Sequence, residues 1–186
     1  MEKKGLWDVV KPLVEQSSTD NSREENMSVF IELLDENLLF EDRLSVMEEL
    51  GCCKSPTYQA PFKAFYNEYA NKSLKERIQL MTTIDSPHNS PNNRTILNDD
   101  NTLSVSWAYG EENNYNCVCD CKTVKDVSSR ENYSVSPTFC ACCAGNVKSL
   151  WQAALGVDLK LIDIVSSAIS TGGQKRCEFI FDIIEK

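Results

Sequence analysis

Apolar positions recur at helical spacing up to about residue 84 and at alternating spacing after residue 102. Leu6, Val9, Val10, Leu13 and Val14 form one face of a first short helix. Ser17 to Asn21 is a polar break, and Ser22 with Glu25 has the spacing of a capping box that opens a second helix. Phe30, Leu33, Leu34 and Leu38 continue its stripe. A third helix is predicted from about Glu41 to Leu50, with Gly51 as its C-terminal cap. Pro56 suits the first turn of a fourth, which carries Phe62, Phe65, Tyr66 and Tyr69. Ser73 and Glu76 repeat the capping-box spacing for a fifth, ending near Ile84.

Residues 85–101 are rich in Ser, Pro and Asn and read as a loop. From Thr102 the period is two: Leu103, Val105, Trp107 and Tyr109 alternate with Thr102, Ser104, Ser106 and Ala108, as in a half-buried strand. A turn at Gly110 to Asn114 leads to a second alternating run, in which Tyr115, Cys117, Cys119 and Cys121 share one side. Ser136-Pro137 opens a helix that contains Phe139 to Leu155, and Gly156 stops it. A strand from Val157 to Val165, a turn at Thr171-Gly172-Gly173-Gln174 and a last strand facing Cys177, Phe179, Phe181 and Ile183 one way complete the chain.

The expected fold is α+β: N-terminal helices packed on an antiparallel sheet made of two hairpins with an intervening helix. The 186 residues fit one domain, with a helical part at 1–84 and a hairpin–helix–hairpin ligand-binding module at 102–186. Hydrophobic residues make up 41%, enough for a sizeable core. Acidic residues outnumber basic ones by 28 to 19, a net charge of −9, which argues against nucleic-acid or anionic-membrane partners. Asp8, Lys11 and Pro12 interrupt any secretory apolar run, and no stretch approaches the ~20 apolar residues of a membrane span. A cytoplasmic location, with reduced thiols, is the expectation.

That expectation gives weight to the nine cysteines, an odd number that excludes a complete intramolecular disulfide framework. Three groups stand out: Cys117, Cys119 and Cys121; Cys140, Cys142 and Cys143; and Cys177, with Cys52-Cys53 as a fourth. Neighbours in a strand row are roughly 6.6 Å apart, too far to share one zinc with Zn–S bonds of about 2.3 Å. A metal would therefore need the helix, and Cys119, Cys140 and Cys143 are the candidate ligands for zinc or an iron–sulfur cluster. On a helical wheel Cys140 and Cys143 share the apolar face with Val147, Leu150 and Trp151, whereas Cys142 sits with Ser149 and Ala153. The helix dipole lowers a thiol pKa there and apolar burial raises it. Packed thiols, a reactive or redox thiol and a metal site all fit this pattern.

Other chemistry-bearing residues have plain readings. His88, the sole histidine, falls in the Ser/Pro/Asn loop. Trp107 and Trp151 suit the core, Asp99-Asp100 a solvated turn, and Tyr58, Tyr66 and Tyr69 helix packing.

Cys143-Ala144-Gly145, Leu155-Gly156, the strand from Val157, Gly172-Gly173 and Cys177-Glu178-Phe179 together resemble the C-terminal half of the 4-vinyl reductase-type small-molecule-binding domain. That superfamily also includes subunits of the TRAPP trafficking complex. The second half also resembles bacterial cysteine-motif proteins related to L-2-amino-thiazoline-4-carboxylic acid hydrolase, and Glu49-Leu50-Gly51-Cys52-Cys53 resembles a helix end of that group. The resemblance implies an α+β ligand-binding fold, often dimeric, with a pocket between sheet and helices. Asp163-Ile164-Val165-Ser166-Ser167 lacks the cysteine that many such domains carry there, so no metal pairing for Cys177 is carried over.

The expected function is a small-molecule-binding, sensor-like protein with Cys117, Cys119, Cys140, Cys143 and Cys177 on its pocket walls, with or without a metal. The alternative is a thiol-dependent hydrolase of a small cyclic amide or thiazoline carboxylate. Cys140 or Cys143 would be its nucleophile, and main-chain N–H groups at the helix start would stabilise the oxyanion. A small molecule and a second copy of the chain are the expected partners.

Overall fold

The computed structural model describes residues 3–18, 23–50, 55–86, 89, 93–107, 136–171 and 174–184. Five helices come first: α1 (Lys3–Ser17), α2 (Arg23–Asn37), α3 (Phe40–Glu49), α4 (Pro56–Tyr69) and α5 (Leu74–Leu80). Local chemistry explains two of their starts. Ser55 caps α4 by accepting from the Tyr58 N–H at 3.4 Å, with Pro56 following it. Ser73 and Glu76 close a reciprocal capping box on α5, Ser73 N–H to Glu76 Oε2 at 2.8 Å and Glu76 N–H to Ser73 Oγ at 3.3 Å. Helix α5 is shorter than its pattern predicts. It tightens into a 3-10 turn (Met81–Thr83), closed by Ile84 N–H on Met81 O at 3.1 Å. The expected caps at Ser22 and Gly51 lie outside the described residues.

The sheet holds β1 (Arg94–Leu97), β2 (Thr102–Trp107), β3 (Asp158–Ser166) and β4 (Cys177–Ile184) in the order β1-β2-β4-β3, antiparallel throughout. Helix α6 (Ala141–Leu155) separates the two hairpins and is preceded by a 3-10 turn (Pro137–Cys140). The architecture is α+β, two hairpins around a helix with the other helices N-terminal.

The first hairpin has an unexpected member. Residues 94–97, read from sequence as loop, form β1 and pair with Leu103–Ser106. Asn98 N–H bonds to Thr102 O at 2.9 Å, and Asn101 takes the left-handed region at φ 63. Asp100 Oδ1 accepts from both the N–H and hydroxyl of Thr102, at 3.1 and 2.7 Å. A four-residue strand flanked by Asn is too short to display a period of two. On one edge β1 pairs with Leu103–Ser106 of β2, and on the other β4 pairs with Thr102–Trp107. The partner expected at Tyr115–Cys121, with the Gly110–Asn114 turn, lies outside the described residues.

Helix α6 is the hub. Its buried residues include Ala144, Val147, Leu150, Trp151, Ala154 and Leu155, and it packs on α3, α4 and the sheet. Trp107 of β2 meets Trp151 edge-on with ring centres 5.7 Å apart, and Phe62 of α4 lies 6.0 Å from the same indole. Buried apolar residues from both halves of the chain join in one cluster. Among the described residues no helix is long and apolar enough to cross a membrane.

Candidate functional site

The turn that starts α6 is held by a polar knot. Ser136 Oγ accepts from Thr138 N–H at 3.2 Å, and Thr138 in turn donates its hydroxyl to Asp35 Oδ1 at 2.6 Å. Arg43 donates to the same carboxylate oxygen at 2.5 Å, tying α2, α3 and the turn together. Burial raises the Asp35 pKa, but hydrogen bonds from Ser136, Thr138 and Arg43 and the Arg43 charge outweigh it. The carboxyl is held below its ordinary value.

Cys140, in the turn, is 5% exposed, and Cys177, on the inner side of β4, is 7% exposed. Cys143 is half-buried and packs against the core. Cys142 is also half-buried, and its Sγ donates to Leu50 O at the end of α3 at 3.7 Å. Like Cys143, it packs against the core. The chain reverses at Gly156, so α6 and β3 run in opposite directions, and β4 runs antiparallel to β3. The beginnings of α6 and β4 therefore fall at the same end of the helix–sheet layer. In register, Cys177 sits opposite Trp107.

Cys52, Cys53, His88, Cys117, Cys119 and Cys121 lie outside the described residues. Of the expected metal ligands, Cys140 and Cys143 are described, and no group of three His, Cys, Asp or Glu that could hold a metal occurs among the described residues.

A polar residue absent from the sequence reading completes this region. Asn146 is 3% exposed, and its Oδ1 has no hydrogen-bond partner among the described residues. It stands one helical turn beyond Cys142 and Cys143. The next turn carries Ser149, which accepts a 2.6 Å hydrogen bond from Gln59 of α4. The sequence signal was a lone Asn inside an otherwise apolar helix.

The N–H groups at the start of this helix are already used. Thr138 N–H goes to Ser136 Oγ, Phe139 N–H to Ser136 O, and Ala141 N–H back to Thr138 and Phe139 carbonyls. The true N-terminus is Ser136, about a turn before Cys140. The thiols thus stand past the capped first N–H groups of the helix.

Two cavities lie elsewhere. A groove of about 470 Å³ between α1, α2 and α3 is lined mainly by apolar side chains such as Val10, Phe30 and Val46, with Trp7, Val14 and Leu50 exposed around it. A second, of about 370 Å³, opens between α5 and β1. Neither is lined by Cys140, Cys142, Cys143 or Cys177. No protein-family model, curated protein or solved structure matches the chain, so the resemblance stands on the motif residues alone.

Proposed function

We propose that the chain is a small-molecule-binding, sensor-like protein whose site lies where α6 and β4 begin, with Cys140, Cys143 and Cys177 on its walls. The observation that carries this reading is Asn146. A buried amide oxygen with no donor among the described residues costs roughly 1–3 kcal/mol, so its place one helical turn beyond Cys143 fits a ligand or water that supplies an N–H or O–H. The motif resemblance to small-molecule-binding domains supports the same reading. It also calls for reduced thiols, as in the cytoplasm. The hydrolase alternative gains nothing from donors already bonded within the turn.

Thermal-shift screening against a defined metabolite library, combined with N-ethylmaleimide labelling mapped by mass spectrometry, tests the proposal. A ligand of this site raises the melting temperature and slows labelling of Cys143 by about tenfold or more, the change in site occupancy that 1.4 kcal/mol corresponds to. Hits that stabilise the fold without slowing any α6 thiol would overturn it.

A further inference from the structure

Cys140-Ala141-Cys142-Cys143 contains a Cys-x-x-Cys spacing, which recurs in dithiol–disulfide pairs. The structure sets it in one continuous helical turn. Cys140 ends the 3-10 turn in the right-handed helical region, at φ −71 and ψ −14, and α6 runs on from Ala141. Cys140, Cys142, Cys143 and Cys177 are all in the thiol form.

Helix geometry selects one pair from the three residues of the turn. With a rise of about 1.5 Å per residue and a Cα radius of about 2.3 Å, Cα atoms three residues apart are about 5 Å apart. A disulfide takes Cα separations of about 4.4–6.8 Å, so the backbone already suits a Cys140–Cys143 bond. Their Cβ atoms, about 5–6 Å apart on a helix, must close to about 4 Å. The change from 3-10 to α winding falls between the two residues, which confines that adjustment to the first turn. Cys142 pairs with neither. Its Cα is about 3.8 Å from that of Cys143, below the disulfide range. From Cys140 it lies about 160° away around the helix.

The surroundings give the two sulfurs an order. Cys143 is half-buried and Cys140 is 5% exposed, so a reagent reaches Cys143 first. Thr138, Asp35 and Arg43 tie the turn to α2 and α3 and keep Cys140 beside it. Both cysteines have interactions elsewhere. Exchange asks for a thiolate, not for a sulfur without contacts.

We propose that Cys140 and Cys143 form a reversible dithiol–disulfide pair, oxidised by a low-molecular-weight disulfide such as oxidised glutathione. The Cys143 thiolate attacks one glutathione sulfur, forms a mixed disulfide and releases one glutathione. The Cys140 thiol then loses its proton, and its sulfur displaces the second glutathione. One S–S bond forms and one breaks. Two electrons pass from the cysteines to the glutathione disulfide, and the two thiol protons leave on the glutathiones released. Excess dithiol reverses both steps. The pairing does not depend on a small molecule occupying the site.

Differential alkylation tests it. The protein is treated with oxidised glutathione, blocked with N-ethylmaleimide in denaturant, then reduced with dithiothreitol and labelled with iodoacetamide. Trypsin releases residues 131–148 as one peptide that carries Cys140, Cys142 and Cys143. In most molecules iodoacetamide is expected on Cys140 and Cys143 and maleimide on Cys142. Without the reduction step the peptide should run unlinked, two hydrogens lighter and with one maleimide. Dithiothreitol added before the maleimide should restore maleimide on all three. Maleimide on all three after oxidised glutathione would overturn the proposal. So would iodoacetamide on Cys142, glutathione retained on Cys143, or a link from Cys140 or Cys143 to another cysteine. Cys140→Ala keeps a small apolar side chain at the buried position, and should hold glutathione on Cys143 as a lasting mixed disulfide. Absence of that adduct in a variant that folds by circular dichroism would also overturn it. If the variant does not fold, the map of the unmodified protein decides.

Discussion

Replacing a helical glycine with alanine ordinarily stabilises a protein, and at Gly145 the structure reverses the sign. A Cβ there would stand 2.5 Å from Glu48 O, 2.8 Å from its Cα and 3.1 Å from its carbonyl carbon. These are backbone atoms of α3, which no side-chain rotation can move. To reach ordinary contact, α3 must retreat from α6 by about 0.9 Å, in a layer where both helices are packed on the core. The Lys148–Glu48 ion pair at 2.8 Å spans the same contact and would loosen with it. Helix propensity favours alanine by about 1 kcal/mol, and overpacking against backbone this close costs about 2–3 kcal/mol, the upper part of the usual range. The expected net effect of Gly145→Ala is a loss of about 1–2 kcal/mol, or a melting temperature lower by about 2–8 °C for a chain of this size. Gly5→Ala is the control: a Cβ there meets nothing within 4 Å, so it should gain up to about 1 kcal/mol. Both variants are read by urea denaturation followed at 222 nm. If Gly145→Ala is as stable as the unmodified protein or more so, the close approach of α3 to α6 is wrong.

Asp35→Ala removes the shared acceptor of Thr138 and Arg43 and should cost about 1.5–3 kcal/mol near neutral pH. Because the Asp35 pKa is lowered from 3.8, its contribution is present above that value and is lost as pH falls through the folded pKa. The urea midpoints of variant and unmodified protein should therefore converge in acid, and a constant gap would refute the assignment. At Gly156, where φ is +68 and the Tyr66 ring lies 2.1 Å from a built Cβ, alanine should cost more than the about 1–2 kcal/mol of left-handed strain alone. A melting curve unchanged by Gly156→Ala would contradict both the conformation and the contact. Ser73→Ala should lower stability by about 1 kcal/mol through loss of the α5 capping box, and no change in the urea midpoint would show that the box contributes nothing.

Much of the fold was legible because its signals are local. The capping box at Ser73 and Glu76, Pro56 at a helix start and Gly156 at a helix end each act within a few residues of themselves. Period-two alternation marked β2 and β4 because each buries one face against α6, as Leu103, Val105, Phe179 and Phe181 show. Strand β1 escaped because four residues carry too little pattern, and what makes them a strand is the free edge of β2. The wheel separated Cys142 from Cys140 and Cys143, yet it could not tell that α6 is enclosed on several sides, with Gly145 against Glu48 and Asn146 buried.

Sequence by itself determined the α+β class and most element positions, since these follow from nearest-neighbour sterics and hydrophobic period. Tertiary structure alone decided how the pieces meet. It brought Asp35 to Thr138 across 103 residues and Trp151 to Thr95 across 56. It also formed the cleft between α5 and β1 and left Asn146 Oδ1 without a donor among the described residues. Such pairings depend on how separate elements pack, and no spacing along the chain encodes the distance between two surfaces that meet only after folding.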